Sequence, residues 1–376
     1  MNNPYNCPVI NFTKPKKKAV RIDHVDLFCG LGGVTKGMMD SLGDNYRNIV
    51  ACDFDLSAKK TYLKNFPCHR FSDDIKHLTS SPDAELLRLV AEGKTLASGG
   101  SPCQGLSRIN NAGKGLACKK SILFFEFIKF LRIYRPKYFI FENVGSMSNE
   151  NERLISKILG CGPIVLQSNW LGAPQLRKRY FWVNWDIDLE KMKLIKNTLK
   201  RDGVQVHAWS KSRRPDGSMD ERIRVDGIAN TIVTSSKSSD SVNFFPPKKK
   251  ARDIEGFARK VYSKEDLIYK DIKKEWLLTP DECEEAHGLP RGWTEGVSNS
   301  QRYKQLGNAI SPPVIKYIMD NIKEPIHSVL DMDHFEFLGI LNEAFPLNET
   351  QSVVKKKINE LISIEKSRMS KEGFAA

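Results

Sequence analysis

Residues 98–104 (Ser-Gly-Gly-Ser-Pro-Cys-Gln) hold a cysteine in a setting that suits nucleophilic chemistry. The apolar run 95–97 ends in small residues, and Pro102 then fixes the backbone directly before Cys103. A cysteine at the end of a buried strand can act as a nucleophile in an electropositive, partly open site, because the thiolate is the reactive form. Free cysteine is also a common core residue, so this stretch alone leaves both interpretations open.

Other residues able to bind a ligand follow apolar runs nearer the N-terminus. Residues 26–33 (Asp-Leu-Phe-Cys-Gly-Leu-Gly-Gly) predict a tight turn whose backbone N–H groups can approach a ligand. Asp53 ends a second run and can bind ribose hydroxyls, and Phe54 can stack on a purine. Asp74 and Ile75, further along, can contact the same adenine. Each of these acids, taken alone, fits a helix cap or a surface position equally well.

Five motifs in a fixed order carry a family resemblance. The motifs are residues 28–33, 102–104, 142–144, 175–179 and 301–308. In this order they closely resemble the C5-cytosine DNA methyltransferases, over roughly residues 22–320. The resemblance implies a DNA (cytosine-5-)-methyltransferase with a doubly wound, mostly parallel α/β sheet and a smaller, irregular target-recognition domain.

The resemblance also implies how Cys103 would act. Cytosine C5 is a poor nucleophile, and addition of the thiolate at C6 converts the ring to an enamine-like carbanion that attacks a methyl sulfonium. Glu142 would contact N3 as a neutral or proton-sharing acid, Arg179 would hold the cytosine O2, and Arg177 would orient the site. The two arginines alternate around Lys178 on one predicted strand, so we expect both to face the same way. The target cytosine would be flipped out of the duplex.

The same resemblance assigns the methyl donor and the DNA contacts. S-adenosylmethionine would lie across the strand ends and leave as S-adenosylhomocysteine. The residues expected to bind it are Phe28, Gly30, Gly32, Asp53, Phe54, Asp74, Ile75, Leu123 and Asn308. Gln104, Ser107 and Arg108, directly after the nucleophile, are expected to contact DNA. Thr234, Ser235 and Lys237 lie in a hydroxyl-rich run (231–241) that can donate to phosphates or base edges, with a disordered polar connector as the alternative. Residues 104–120 predict a basic loop that closes over the DNA, with an ordinary surface loop as the alternative.

A repeating order of apolar runs, small-residue turns and helical patterns must position these residues. Strands are predicted at residues 22–28, 48–52, 95–97, 138–141 and 180–185, and helices at 121–134, 279–287, 312–322, 335–344 and 353–364. This order predicts a parallel sheet that binds ligands at the carboxyl ends of its strands. The predicted divisions are a basic arm (1–20), a catalytic domain (21–186), a target-recognition domain (187–275), a return to the catalytic domain (276–324) and a helical extension (325–376).

Charge and cysteine usage limit the partners and the compartment. Among 376 residues, Lys and Arg number 59 and Asp and Glu number 45, and a net charge of +14 favours nucleic acid over an anionic membrane. We therefore expect a nucleic acid as the partner, no membrane contact, and a monomer. The family resemblance implies that the nucleic acid is duplex DNA, and it leaves open whether a cognate restriction endonuclease is a second partner. The eight scattered cysteines show no zinc spacing, so no metal site is predicted. They favour a reducing compartment: the cytoplasm of a bacterial or phage-infected cell, or the nucleus of a eukaryotic one.

The sequence leaves two other functions open. A catalytically silent DNA-binding homologue would be expected to lack the nucleophile or the acid, and the chain has both Cys103 and Glu142. An RNA-directed methyltransferase of the tRNA-modifying branch would carry a Cys-Phe-Thr signature, which this sequence does not contain.

Overall fold

The structure is a computed structural model. It describes residues 21–66, 70–100, 123–213, 219–234, 241–245, 276–345 and 352–371. Six of the predicted site residues lie outside the described residues: Cys103, Gln104, Ser107, Arg108, Ser235 and Lys237. The loop predicted at 104–120 also lies outside them.

A seven-stranded sheet forms the centre of the described part. Its strands are β1 (Ile22–Leu27), β2 (Tyr46–Cys52), β3 (Phe71–Ser72), β4 (Thr95–Gly99), β5 (Tyr138–Val144), β6 (Pro163–Gln167) and β7 (Lys178–Val183). They lie in the order β3-β2-β1-β4-β5-β7-β6. Neighbouring strands are parallel except β7, which is antiparallel to both β5 and β6. The predicted doubly wound, mostly parallel sheet is confirmed.

Helices surround this sheet. They are α1 (Gly33–Leu42), α2 (Leu56–Asn65), α3 (Ile75–Thr79), α4 (Ala84–Glu92), α5 (Leu123–Tyr134), α6 (Asn149–Leu159), α7 (Pro280–His287), α8 (Asn299–Asn308), α9 (Pro312–Asp320), α10 (His334–Ala344) and α11 (Ser352–Lys371). Among the described residues, no helix combines the length and the apolar character needed to cross a bilayer.

The central strands are largely buried on both faces, although polar residues interrupt the apolar sequence of β1. Val25 and Leu27 of β1 pack into a cluster with α5, whereas Ile22 packs on the opposite side with α1 and α9. The same alternation occurs in β5, where Phe139 belongs to the first cluster and Ile140 to the second. The sheet is therefore a middle layer between two helical layers, and its strand ends are free to hold a site.

The region predicted as an irregular recognition domain contains small antiparallel sheets in its described part. Strands β10 (His207–Arg213), β11 (Met219–Arg224) and β12 (Ser241–Phe244) form one sheet, in the order β11-β10-β12. Strands β8 (Lys200–Arg201) and β9 (Val204–Gln205) form another. The boundaries of this domain stay a prediction.

Candidate active site

The glycine-rich turn after β1 is held in an unusual backbone conformation. Phe28, Gly30 and Gly32 all have positive φ angles, of 59°, 54° and 88°. A Cβ on Gly32 would lie 2.2 Å from a ring atom of Phe66, so this position requires glycine. The Gly30 N–H donates to Asp53 Oδ2 at 2.8 Å, which ties the turn to the end of β2. The Asp55 N–H donates to the other Asp53 oxygen at 2.9 Å.

A cavity of about 350 Å³ opens at the carboxyl ends of β1, β2, β4 and β5. Nine predicted site residues line it: Phe28, Gly30, Asp53, Phe54, Leu123, Glu142, Arg177, Arg179 and Asn308. The other lining residues were not predicted, and they include Asp26, Lys304 and Gln305. Their signal was available, because Asp26 adjoins the glycine-rich motif, and Lys304 and Gln305 lie within the motif that contains Asn308.

Four described residues with predicted contacts do not line this cavity. Gly32 packs against Phe66, and Thr234 lies against Gly307. Asp74 caps α3 by accepting from the Lys76 N–H at 2.9 Å. Ile75 is buried in the core. The ligand contacts assigned to these four stay predictions, and the structure gives three of them a clear packing or capping role.

Glu142 and Arg179 form an ion pair on the cavity wall. Arg179 Nε lies 3.0 Å from Glu142 Oε1, and both side chains are largely buried. They come together because β5 and β7 are antiparallel neighbours, with Val144 opposite Arg179. Burial raises the pKa of Glu142 above its ordinary value, although the positive charges of Arg179 and Arg177 partly oppose this shift. Glu142 is therefore more able to hold a proton than an exposed glutamate.

Arg177 does not lie on the same strand as Arg179, so that part of the prediction was wrong. Strand β7 begins at Lys178. The backbone before it pairs instead with the segment around Ala229, whose carbonyl accepts from the Leu176 N–H at 2.7 Å. The buried Arg177 guanidinium donates to the carbonyl of Gly307 at 2.9 Å. Arg177 thus connects the return of the chain to the cavity, which it lines together with Arg179.

A buried polar network lies beneath the turn. Asp26 accepts from Thr35 Oγ1 at 2.7 Å and from Ser98 Oγ at 2.9 Å. Burial raises the pKa of Asp26 to about 7, and the nearby charge of Asp53 adds to the shift, although the two hydroxyl donors oppose it. His24 Nε2 lies 2.7 Å from Ser98 Oγ, and burial lowers the pKa of this histidine to about 3. At neutral pH the site therefore holds a neutral histidine and a carboxyl that is readily protonated.

Residues 276–324, which return to the catalytic domain, close the cavity on a further side. Trp293 Nε1 donates to the Leu31 carbonyl at 3.0 Å, and Lys304 Nζ pairs with Asp55 Oδ2 at 2.6 Å. An ideal Cβ on Gly33 would lie 2.1 Å from the Ile310 carbonyl oxygen, so α1 and the start of α9 approach very closely. These contacts bring Asn308 to the same cavity wall as the glycine-rich turn.

Comparison with known proteins agrees with this arrangement. The family model for C-5 cytosine-specific DNA methylases matches residues 22–324. Type II methyltransferase M.HpaII of Haemophilus parainfluenzae is 25% identical over 343 residues, covering 82% of this chain and 90% of that protein. Type II methyltransferase M.NlaX of Neisseria lactamica is 25% identical over 324 residues, covering 82% and 98%.

Two solved structures share the fold. The Dnmt2 methyltransferase of S. pombe has a TM-score of 0.53 at 17% identity, covering 80% of this chain and 98% of that one. The methyltransferase EhMeth of Entamoeba histolytica has a TM-score of 0.50 at 20% identity, covering 80% and 97%. Since the family match spans most of the sequence, the chain belongs to the C-5 cytosine-specific DNA methylase family.

Proposed function

We propose that this chain transfers a methyl group from S-adenosylmethionine to C5 of cytosine in duplex DNA. The observation that carries the proposal is the Glu142–Arg179 pair on the cavity wall. Gly100 lies against this pair: a Cβ on it would be 3.0 Å from Glu142 Oε2. Cys103 follows Gly100 by only three residues in the sequence, and the proposal therefore pairs this nucleophile with Glu142 as its acid partner.

The residues around the cavity fit S-adenosylmethionine. Phe54 is 66% exposed and offers a free aromatic face to a purine. Asp53 supplies a carboxylate for ribose hydroxyls, and a Cβ on Gly30 would meet no atom within 4 Å, so this backbone is open to a ligand. Leu123 and Asn308 would enclose the rest of the S-adenosylmethionine molecule. When bound, S-adenosylmethionine supplies an electrophilic methyl group.

The chemistry of the protein's own groups follows from their charge. The Cys103 thiolate forms a bond to C6, and the C5–C6 π electrons move to C5. Glu142, with its raised pKa, gives or shares a proton at N3, so that the ring accepts this electron density. Arg179 holds the cytosine O2 and keeps Glu142 in place. Once C5 carries the methyl group, water or hydroxide takes the C5 proton, the C5–H electrons re-form the C5–C6 double bond, and the Cys103 thiolate leaves C6. N3 returns its proton to Glu142, which restores the aromatic ring.

Duplex DNA is the proposed substrate because a net charge of +14 suits a polyanion. The target cytosine has to leave the base stack to reach a cavity at the sheet edge. The curated relatives are named Type II methyltransferases. We therefore propose that this chain protects DNA from a restriction endonuclease that recognises the same sequence.

The test is transfer of tritiated methyl groups from S-adenosylmethionine to duplex DNA, followed by bisulfite sequencing to identify the modified base. Cys103→Ala is expected to abolish transfer while duplex binding persists. Cys161→Ala is the matched control, because this partly buried cysteine lies away from the cavity. A duplex with 5-fluorocytosine at the target should trap a covalent adduct. Near wild-type transfer by Cys103→Ala, or transfer to tRNA in preference to duplex DNA, would contradict the proposal.

A further inference from the structure

Helices α10 and α11 lie beyond residue 324, where the family match ends, yet they are part of the main core. Phe337 of α10 and Ile358 and Leu361 of α11 belong to the same buried cluster as the aromatic residues of α5. The two helices therefore pack on the catalytic layer over their length.

The N-terminal half of α11 reaches the first turn of α5. Lys357 Nζ donates to Glu126 Oε1 at 2.5 Å and pairs with Glu360 Oε2 at 2.7 Å. Thr79 Oγ1, at the end of α3, donates to the second Glu126 oxygen at 2.7 Å. The Glu126 side chain is 1% exposed and that of Lys357 is 16% exposed, so this pair is shielded from water. Glu126 thereby joins three helices at one point.

Glu126 is close in sequence to a residue of the cavity wall. Glu126 lies three residues after Leu123, about one helical turn, and Leu123 is on the cavity wall. Helix α5 also begins directly after the segment that contains Cys103. A shift of the first turn of α5 would therefore move Leu123 and with it a wall of the proposed cofactor site.

We propose that Lys357 is a positioning residue for the S-adenosylmethionine site, and that it acts through Glu126 to fix the first turn of α5. The inference rests on the proposed function, since it concerns the same cavity. Its physical basis is the cost of a buried carboxylate without its counter-charge, which drives the group to take up a proton or to move toward water. Either response releases the turn that carries Leu123.

A second ion pair on the same helices provides an internal comparison. Arg132 and Glu365 are both fully buried, and they form two hydrogen bonds of 2.7 Å. Arg132 also donates to the carbonyls of Val329 and Met332. It lies nine residues beyond Leu123, which is about 14 Å along the helix axis. Loss of this pair should weaken the fold without reaching the cavity wall.

The experiment measures the affinity for S-adenosylhomocysteine by titration calorimetry, using the full chain. Lys357→Met should raise the dissociation constant about 5- to 10-fold, an effect of about 1 kcal/mol. The double variant Glu126→Gln/Lys357→Met removes both charges and keeps the side-chain shapes, so its affinity should return to within about 2-fold of wild type. Lys356→Met, at the exposed neighbouring lysine, should leave the affinity unchanged.

Glu365→Gln serves as the stability comparison. It should lower the melting temperature more than Lys357→Met does and leave the dissociation constant unchanged. In steady state, Lys357→Met should raise the KM for S-adenosylmethionine with little change in kcat. If wild type binds the ligand and Lys357→Met binds it equally well, the inference is overturned. The same holds if Glu365→Gln weakens binding as much as Lys357→Met. Failure of wild type to bind would instead refute the proposed function, and the inference with it.

Discussion

Asp26 is the carboxyl beneath the glycine-rich turn, and it makes the stability of this protein depend on pH in a predictable direction. Its side chain is 1% exposed, and burial raises its pKa to about 7 from an ordinary value of 3.8. The folded state therefore holds this proton more tightly than the unfolded state. The stabilisation is fully present below about pH 4 and is lost as the pH rises through about 7. Asp26→Asn removes the ionisation.

The magnitude follows from the two pKa values. Relative to the fully protonated chain, ionisation of the unfolded state lowers the free energy of unfolding by about 2 kcal/mol at pH 5 and about 4 kcal/mol at pH 8, at 1.36 kcal/mol for each pKa unit. The free energy of unfolding of Asp26→Asn, relative to wild type, should therefore rise by about 2 to 3 kcal/mol between these two pH values. His24, whose pKa is lowered by burial, contributes an opposite trend, which is common to both proteins and cancels in the difference.

The assay is urea unfolding of wild type and Asp26→Asn at pH 5, 6, 7 and 8, with the free energy of unfolding extrapolated to water. The hydroxyls of Thr35 and Ser98 can reorient toward an amide, so the constant offset between the proteins reports the altered hydrogen bonds. Only the change with pH tests the argument. A difference that stays flat from pH 5 to pH 8 would show that Asp26 is ionised in the folded state at an ordinary pKa.

Three more outcomes are expected. Phe54→Ala removes an exposed ring from the cavity wall and should weaken S-adenosylhomocysteine binding by about 1 kcal/mol or more in calorimetry, with no loss of melting temperature. Gly33→Ala places a methyl group where the Ile310 carbonyl lies and should lower the free energy of unfolding by about 2 kcal/mol; urea unfolding that matched wild type would contradict this. Glu365→Gln leaves the buried Arg132 charge without its carboxylate and should destabilise the protein by about 3 kcal/mol in the same assay.

The parts of the fold that the sequence predicts are those in which one local pattern decides the structure. Strand β5 begins with the apolar run 138–141, which is fully buried and marks the strand clearly. Helix α5 has an apolar sequence of helical length, and the predicted end at Tyr134 is correct. The sequence patterns do not predict edge strand β6 or helix α8. Strand β6 is only partly buried, and α8 is largely polar, with Arg302 and Gln305 buried in it by their neighbours.

The sequence predicts which residues belong to the site, but it does not predict the contacts that those residues make. The motifs identify Glu142 and Arg179 as functional residues, and the structure brings them into contact. The position of Arg177 depends on pairing with the segment around Ala229, which no local pattern shows. The contact between Glu126 and Lys357 joins residues far apart in the chain, because it arises only when α11 packs on α5. Long-range partners of this kind are decided by tertiary packing.

The buried pair of Arg132 and Glu365 also limits how this chain can evolve. Arg132 lies inside the family-matched region and Glu365 lies beyond it, so the buried Arg132 charge is paired with a carboxylate from outside that region. Loss of either residue alone is costly, and the two positions are free to change only together. A gene shortened to encode the family-matched region alone would therefore produce a defective protein. Removal of the helices beyond residue 324 would also uncover the apolar cluster that they share with α5 and leave Arg132 without Glu365.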